Sequence, residues 1–286
     1  SFWSESGDGQ VTSNDWYART AGTWGNSIGL QVCPGSDAFE QNLDSNRVNQ
    51  SDIAAADTTI IIDESAGNYK VNEGDLIAFS STAINADPQA FTHLAGDEGN
   101  EYQVTSVDTN TNELTIRLAG DPNGVGLKVD VPNNTYIRRR WAFYNLFDGA
   151  PSTSQWATDN NRGTDDEMHI VLYDTTGDIT GYDYDVAGQA TNSVIERWAN
   201  VSKCPVAKTA QGSSNYYVDV IFRGSKYVYW GDHISTGINW GTDTGTTYTV
   251  VYAITSVSLT GGTDDYAVTN GELKLAYDIF ADTEAI

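Results

Sequence analysis

Basic residues are scarce in this chain. Fifteen lysines and arginines face 39 aspartates and glutamates in 286 residues, a formal net charge of −24. Nucleic-acid binding needs a basic surface to neutralise phosphates, so this balance argues against it. Many solvated carboxylates instead favour a soluble subunit that repels its own copies until it is assembled. Long apolar runs are also missing. No stretch approaches the roughly 20 apolar residues of a membrane-spanning helix, and no signal-peptide pattern opens the chain. The single methionine is Met168, and the first residues are Ser1-Phe2-Trp3-Ser4, which reads as part of something longer. The two cysteines, Cys33 and Cys204, lie far apart and outside metal-ligand spacing. Two reduced thiols or one mutual disulfide are both compatible with that spacing.

Motifs of catalysis are missing as well. The chain contains no Gly-x-Ser-x-Gly elbow, no His-Glu-x-x-His and no Gly-x-x-x-x-Gly-Lys loop. Its three histidines are His93, His169 and His233. His169 and His233, with Asp165, Asp166 and Asp232 at strand ends, can be drawn as a hydrolase triad or a metal site, but unconnected polar residues explain them equally. Asp97-Glu98-Gly99-Asn100 offers oxygen ligands for calcium, yet no EF-hand or repeated Asp/Gly pattern surrounds it. Gly22-Thr23-Trp24-Gly25-Asn26 has the glycines of a phosphate cradle, and a tight turn needs those glycines anyway. The expectation is a chain with no catalytic residue, no cofactor and no metal.

Strand formers and turn residues dominate the rest. The chain is organised around residues 166–233. Met168 to Tyr173 is a short apolar strand, stopped by Thr175-Thr176-Gly177-Asp178. Ser193 with Glu196 forms a capping-box pattern, and Val194, Ile195, Trp198 and Val201 recur at helical spacing. A short amphipathic run, Tyr216 to Ile221, follows the break at Gly212-Ser213-Ser214-Asn215. Lys226 to Trp230 alternates as a further strand. A strand, a crossover with helix and another strand predict a parallel β-α-β unit.

The flanking regions read differently. Asp15 to Ala18 and Ile28 to Cys33 predict short strands around the Gly22–Asn26 turn, and residues 36–57 read as a polar boundary. Thr59–Ile62, Leu76–Phe79, Tyr102–Val107, Glu113–Leu118, Leu127–Val131 and Thr135–Ile137 predict a small all-β barrel or sandwich, with a hairpin across Asp108–Asn112. Tyr248–Ile254 predicts another strand. Thr269, with Glu272 three residues on, predicts the cap of a terminal helix whose apolar face is Leu273, Ala276, Tyr277 and Phe280. The expected class is therefore mixed α/β (α+β). A discontinuous α/β domain, residues 1–40 and 141–286, carries an inserted β-rich domain, residues 41–140.

Arg138-Arg139-Arg140 is the basic cluster of this acidic chain, followed by Trp141, Phe143 and Tyr144. Guanidinium groups bind carboxylates in a planar fork, so the cluster is a candidate patch for the acidic face of a neighbouring copy. Pairing within the subunit is the other reading.

Several collinear stretches resemble one family. Ile170-Val171-Leu172-Tyr173-Asp174, Asp178-Ile179-Thr180-Gly181, Val194-Ile195-Glu196-Arg197-Trp198 and Val201-Ser202-Lys203 are similar to the tail sheath protein of contractile-tailed bacteriophages. So are Gly212 to Ile221, Ser225 to Trp230, Ala18 to Ile28 and Asn270 to Asp282. The resemblance covers about half the chain, and its motifs are specific as a set rather than singly. It implies a sheath-type α/β domain and a structural role in the virion. Copies would polymerise around the tail tube protein, meet baseplate and tail terminator proteins, and contract to deliver the genome. It implies assembly in the host cytoplasm, no nucleic-acid partner and no membrane insertion. The family's N-terminal arm and C-terminal sheet region have no counterpart in these residues. A second reading comes from the eight tryptophans and sixteen tyrosines. Aromatics at strand edges suit sugars as well as interfaces, so a glycan-binding or depolymerase module of a tail fibre is the alternative.

Overall fold

The computed structural model describes residues 15–43, 47–51, 53–63, 71–83, 91–121, 123, 125–185, 190–235, 237–243, 245, 247–251, 253–264, 266–267, 269–271 and 273–274. Among them the architecture is β-rich, with three antiparallel sheets and only short helices, which overturns the expected α/β class.

The centre is a four-stranded sheet. Strand β2 (Ile28–Cys33) lies between β9 (Glu167–Asp174) and β12 (Thr255–Ser258), and β10 (Val194–Ser202) flanks β9 on its other side. Every neighbouring pair runs antiparallel. β2 is wholly buried, and β9 is buried from Met168 onward. Both faces of these strands are covered, so each reads as a near-continuous apolar run. The parallel pairing expected between residues 168–173 and 226–230 is absent: β9 has antiparallel neighbours on both sides, and residues 228–230 pair antiparallel with residues 16–18 instead. On one face Ile28, Leu30 and Val32 meet Met168, Ile170 and Leu172. The other face carries Cys33, Val171 and Tyr173 against an aromatic layer of Phe39, Trp141, Phe143 and Tyr184. At roughly 1.5–3 kcal/mol per fully buried large apolar side chain, these two faces dominate the stability of the sheet.

The helix expected from Ser193 onward is β10. Its register slips between Val194 and Glu196 and again between Trp198 and Val201. Bulges insert extra residues into the strand, so its alternation of period two breaks and imitates helical spacing. No capping box forms. Ser193 Oγ donates to the Ala190 carbonyl, and the Glu196 carboxylate accepts from Ser225 Oγ and the Lys226 amide.

The helical segment of this region is α3 (Tyr217–Gly224), which buries Tyr217 and Ile221 one turn apart. After it, β11 (Val228–Trp230) pairs antiparallel with β1 (Trp16–Ala18) as a separate two-stranded ribbon. Trp16, Tyr217, Ile221 and Val228 join the core cluster on the β2–β9 face. A short helix, α2 (Gln155–Asn160), is capped by Ser154, whose oxygen accepts from the Ala157 amide. The expected strand at 248–254 is absent among the described residues. The amide of Tyr248 donates to the Thr164 carbonyl, and that of Thr249 to the Asn239 side chain, so neither joins a ladder. The strand comes later, as β12.

Residues 36–57 do more than mark a boundary. A one-turn helix, α1 (Ser36–Phe39), runs into β3 (Glu40–Leu43), and Ala38 and Phe39 are buried. β3 heads a six-stranded sheet in the order β3-β8-β5-β6-β7-β4. Its further members are β4 (Thr59–Ile61), β5 (Leu76–Ser80), β6 (Tyr102–Asp108), β7 (Glu113–Leu118) and β8 (Tyr136–Arg140). The β6–β7 hairpin carries a bulge between Val104 and Ser106. Residues 127–131 contribute one bridge, Val131 to Ile53, rather than the expected strand. The sheet curls on itself. Val48 bridges Ile62 beyond β4 and exchanges backbone hydrogen bonds with Asn134 and Thr135 before β8. This sheet encloses its own apolar cluster, drawn from residues 48–137. Of the expected terminal helix, residues 270, 271, 273 and 274 are helical, with Leu273 exposed; Ala276, Tyr277 and Phe280 lie outside the described residues. No helix of the described residues is long and apolar enough to cross a membrane.

Candidate functional site

The arginine cluster occupies β8, where alternation sends Arg139 to one face and Arg138 and Arg140 to the other. Arg139 is fully buried. Its Nη1 donates to Asp75 Oδ2 at 3.3 Å and to the Ala38 carbonyl at 3.1 Å, and its Nη2 to the Asp37 carbonyl at 2.5 Å. Burial pushes the Asp75 carboxyl up to about 6, although the Arg139 guanidinium and the Asn72 amide pull the other way. Arg138 and Arg140 share two carboxylates. Arg140 lies 3.0 Å from Glu40 and 3.2 Å from Glu101; Arg138 lies 3.4 Å from Glu101 and is 8% exposed. The three guanidiniums thus meet carboxylates of the same chain, at the seam where the six-stranded sheet joins the aromatic layer behind Trp141.

The histidines do not converge. His169 Nδ1 accepts from the Asn200 amide at 3.0 Å, and its Nε2 faces the Gly149 carbonyl at 2.8 Å, so the proton resides on Nε2. Its ring stacks on Phe147 with centroids 4.1 Å apart. Burial lowers its pKa, with the Gly149 carbonyl opposing. His233 bonds Tyr217, and His93 bridges Ser80 through its backbone. Asp166 is also engaged elsewhere. Its carboxylate accepts from the Ser154 amide at 2.7 Å and from the hydroxyls of Ser154 and Ser202 at 2.9 and 2.6 Å. Among the described residues no group of three or more His, Cys, Asp or Glu side chains is placed to hold a metal ion. Cys33 and Cys204 are free and buried, and burial pushes the Cys33 thiol far up.

The Gly22–Asn26 turn does hold an anion, one supplied by the chain. Asp264 accepts from the Thr23 amide at 2.9 Å and from the Thr23 hydroxyl. Asn26 exchanges two hydrogen bonds with the backbone of Gly262. Gly262 must be glycine here, since a Cβ would fall 2.1 Å from the Gly22 carbonyl oxygen. Beside this clasp a cavity of about 550 Å³ opens between β1 and β12, bordered by Asp15, Trp16, Asn26, Ser258 and Thr260.

Two polar ties escaped the sequence reading. Lys203 is fully buried and donates to the carbonyls of Pro34 and Asp165, each at 2.6 Å, while Trp240 lies over its ammonium at 5.2 Å. Burial lowers its pKa to about 8, with Asp166 the chief opposing charge. Asp174 closes the loop after β9, accepting from the amides of Gly177, Ile179 and Thr180. Burial alone would raise this carboxyl; the amides of Thr180, Ile179 and Thr176 prevail and hold it low. Next to it, Asp178 accepts from Ser27 and Thr176, joining this loop to the start of β2. A lysine next to Ser202 at a strand end carries no local signal that its partners lie near residues 34 and 165.

No protein-family model, curated protein or solved structure matches this chain.

Proposed function

We propose that this chain is a structural subunit of a contractile bacteriophage tail sheath, packing with copies of itself around the tail tube protein and meeting baseplate and tail terminator proteins at the tube ends. One observation carries the reading: several of the stretches that resemble the family, although far apart in the chain, pair with one another. Ala18 pairs with Val228, Ile28 with Asp174, and Val194 to Trp198 with Ile170 to Tyr173. The resemblance thus describes one packed body.

The polar groups of that body support the same role. Asp166, Asp174, Lys203 and Asp264 each tie separate segments of the chain together. A sheath works by moving nearly rigid subunits between two packings, with small interface gains summed over many copies. Internal ties of this kind supply the rigidity. The acidic surface keeps free subunits apart before assembly.

The test is deletion of the encoding gene in a contractile-tailed phage that carries it. Bare tail tubes in electron micrographs are expected. Sheathed tails lacking only fibres would favour the glycan-binding alternative, and a polysaccharide hydrolysed by the purified chain would replace the structural reading with a depolymerase.

A further inference from the structure

Trp230 ends β11 and donates its indole N–H to Tyr217 Oη at 3.0 Å. The same oxygen lies 2.5 Å from His233 Nδ1. An indole nitrogen only donates, so Tyr217 accepts from Trp230 and keeps one proton and one lone pair for its contact with His233.

This chain of bonds joins three parts of the fold. Tyr217 belongs to α3 and is 2% exposed, with its ring against Trp16, Trp230 and Trp240. His233 belongs to the segment after β11. That segment starts with Gly231 and Asp232, whose amides donate to the Asp15 carbonyl, and ends at Gly241, whose amide donates to the Lys203 carbonyl. The His233 ring is wedged against Gly241, where a Cβ would fall 2.4 Å from Nε2.

We propose that Tyr217 gives its proton to a bare His233 Nδ1 and that Trp230, Tyr217 and His233 form an acid-operated latch: a proton taken up from solvent at that Nδ1 strips the buried hydroxyl of its acceptor, places a charge beside α3 and releases residues 231–241 from it. The imidazolium N–H then faces the hydroxyl oxygen, whose own proton loses its acceptor. Four further titratable groups lie on the elements packed here. Asp232 on the same segment attracts the proton, and Asp15, just before β1, acts on Asp232 and Tyr217. Tyr216, just before α3, comes within 3.2 Å of where a Gly241 Cβ would sit, and Lys203 lies under Trp240, which packs on Tyr217. Burial lowers the His233 pKa, and Asp232 opposes that only in part. Release also frees Asp15, so the effect reaches the rim of the cavity.

The test follows the ring and the segment together in the full chain. Nitrogen-15 chemical shifts of the imidazole report the tautomer, and amide hydrogen exchange, corrected for intrinsic rates, reports opening of residues 231–241. Expected are the Nε2–H tautomer at pH 7.5 and a rise in opening as the ring titrates, of about tenfold per unit by which its pKa lies below the ordinary value. His233→Gln keeps an acceptor for Tyr217 but cannot take the proton, so its segment should stay protected throughout. An Nδ1–H tautomer, a ring still neutral at pH 4, titration without opening, or acid opening unchanged in His233→Gln would each overturn the latch.

Discussion

Arg139 and Asp75 give the sharpest energetic test. Both are buried, their nearest charged atoms are 3.3 Å apart, and the guanidinium also holds the carbonyls of Asp37 and Ala38. Asp75→Ala leaves a buried cation without its carboxylate, which costs about 3–5 kcal/mol. That is a large share of the roughly 5–15 kcal/mol that stabilises a typical domain. Arg139→Met behaves differently, because Asp75 can escape by protonation. Burial already places its carboxyl at about 6, above its unfolded value of 3.8, even with the guanidinium present. A carboxyl raised in this way binds more protons folded than unfolded. Its contribution to stability is full below 3.8 and is lost as pH rises through 6. Without Arg139 the folded value climbs further, so the variant's deficit should be small at pH 5 and grow toward pH 8 by up to about 1.4 kcal/mol per unit. The double variant Asp75→Leu/Arg139→Met removes both charges and should cost far less than the sum of the singles. Urea unfolding followed by tryptophan fluorescence at pH 5 and 8 measures all four proteins. Asp75→Ala within about 1 kcal/mol of the parent, an Arg139→Met deficit that does not grow from pH 5 to pH 8, or strictly additive losses would refute this reasoning.

Three further outcomes follow from the same packing. Ser154→Ala removes the cap of α2 and a donor to buried Asp166, and should lower stability by about 1–2 kcal/mol in thermal unfolding. Lys203 has its folded pKa lowered to about 8 from 10.5, so the unfolded chain binds more protons between those values and stability should rise with pH across that window. Lys203→Met should abolish the rise and cost about 1–3 kcal/mol at pH 7 by orphaning the Pro34 and Asp165 carbonyls. Replacing residues 58–137 with a short linker removes Asp75 and Glu101, so the excised chain should fold only when Arg138, Arg139 and Arg140 are also replaced; circular dichroism and gel filtration of both versions check this.

Local pattern carried much of the fold. Strands β2, β5, β9 and the β6–β7 hairpin were legible because each is a short run of strand formers bounded by turn residues. The failures have physical causes. In β10 two bulges turned a strand into an imitation of a helix, and that supposed crossover made residues 226–230 look like a parallel neighbour of β9, whereas β11 pairs antiparallel with β1. Tyr248 looked like a strand residue because it is buried, but its amide is satisfied by a distant loop carbonyl. Composition showed an arginine cluster, whereas its partners Glu40, Asp75 and Glu101 lie between 37 and 100 residues away and become visible only when β3, β5 and β8 pair. The cradle at Gly22 was legible as a turn, but the carboxylate that fills it, Asp264, comes from the far end of the chain. His169 and His233 could be singled out by residue type alone, yet which neighbour sets each tautomer is a property of packing.

The most direct test of the structural reading is a helical reconstruction of the contractile tail of a phage that carries this chain. The account predicts that the sheath subunit contains the β10-β9-β2-β12 sheet with the β1–β11 ribbon and α3 packed on one face, moving as one body between extended and contracted tails. A sheath subunit without that body, or this chain found in fibre density instead, would contradict it.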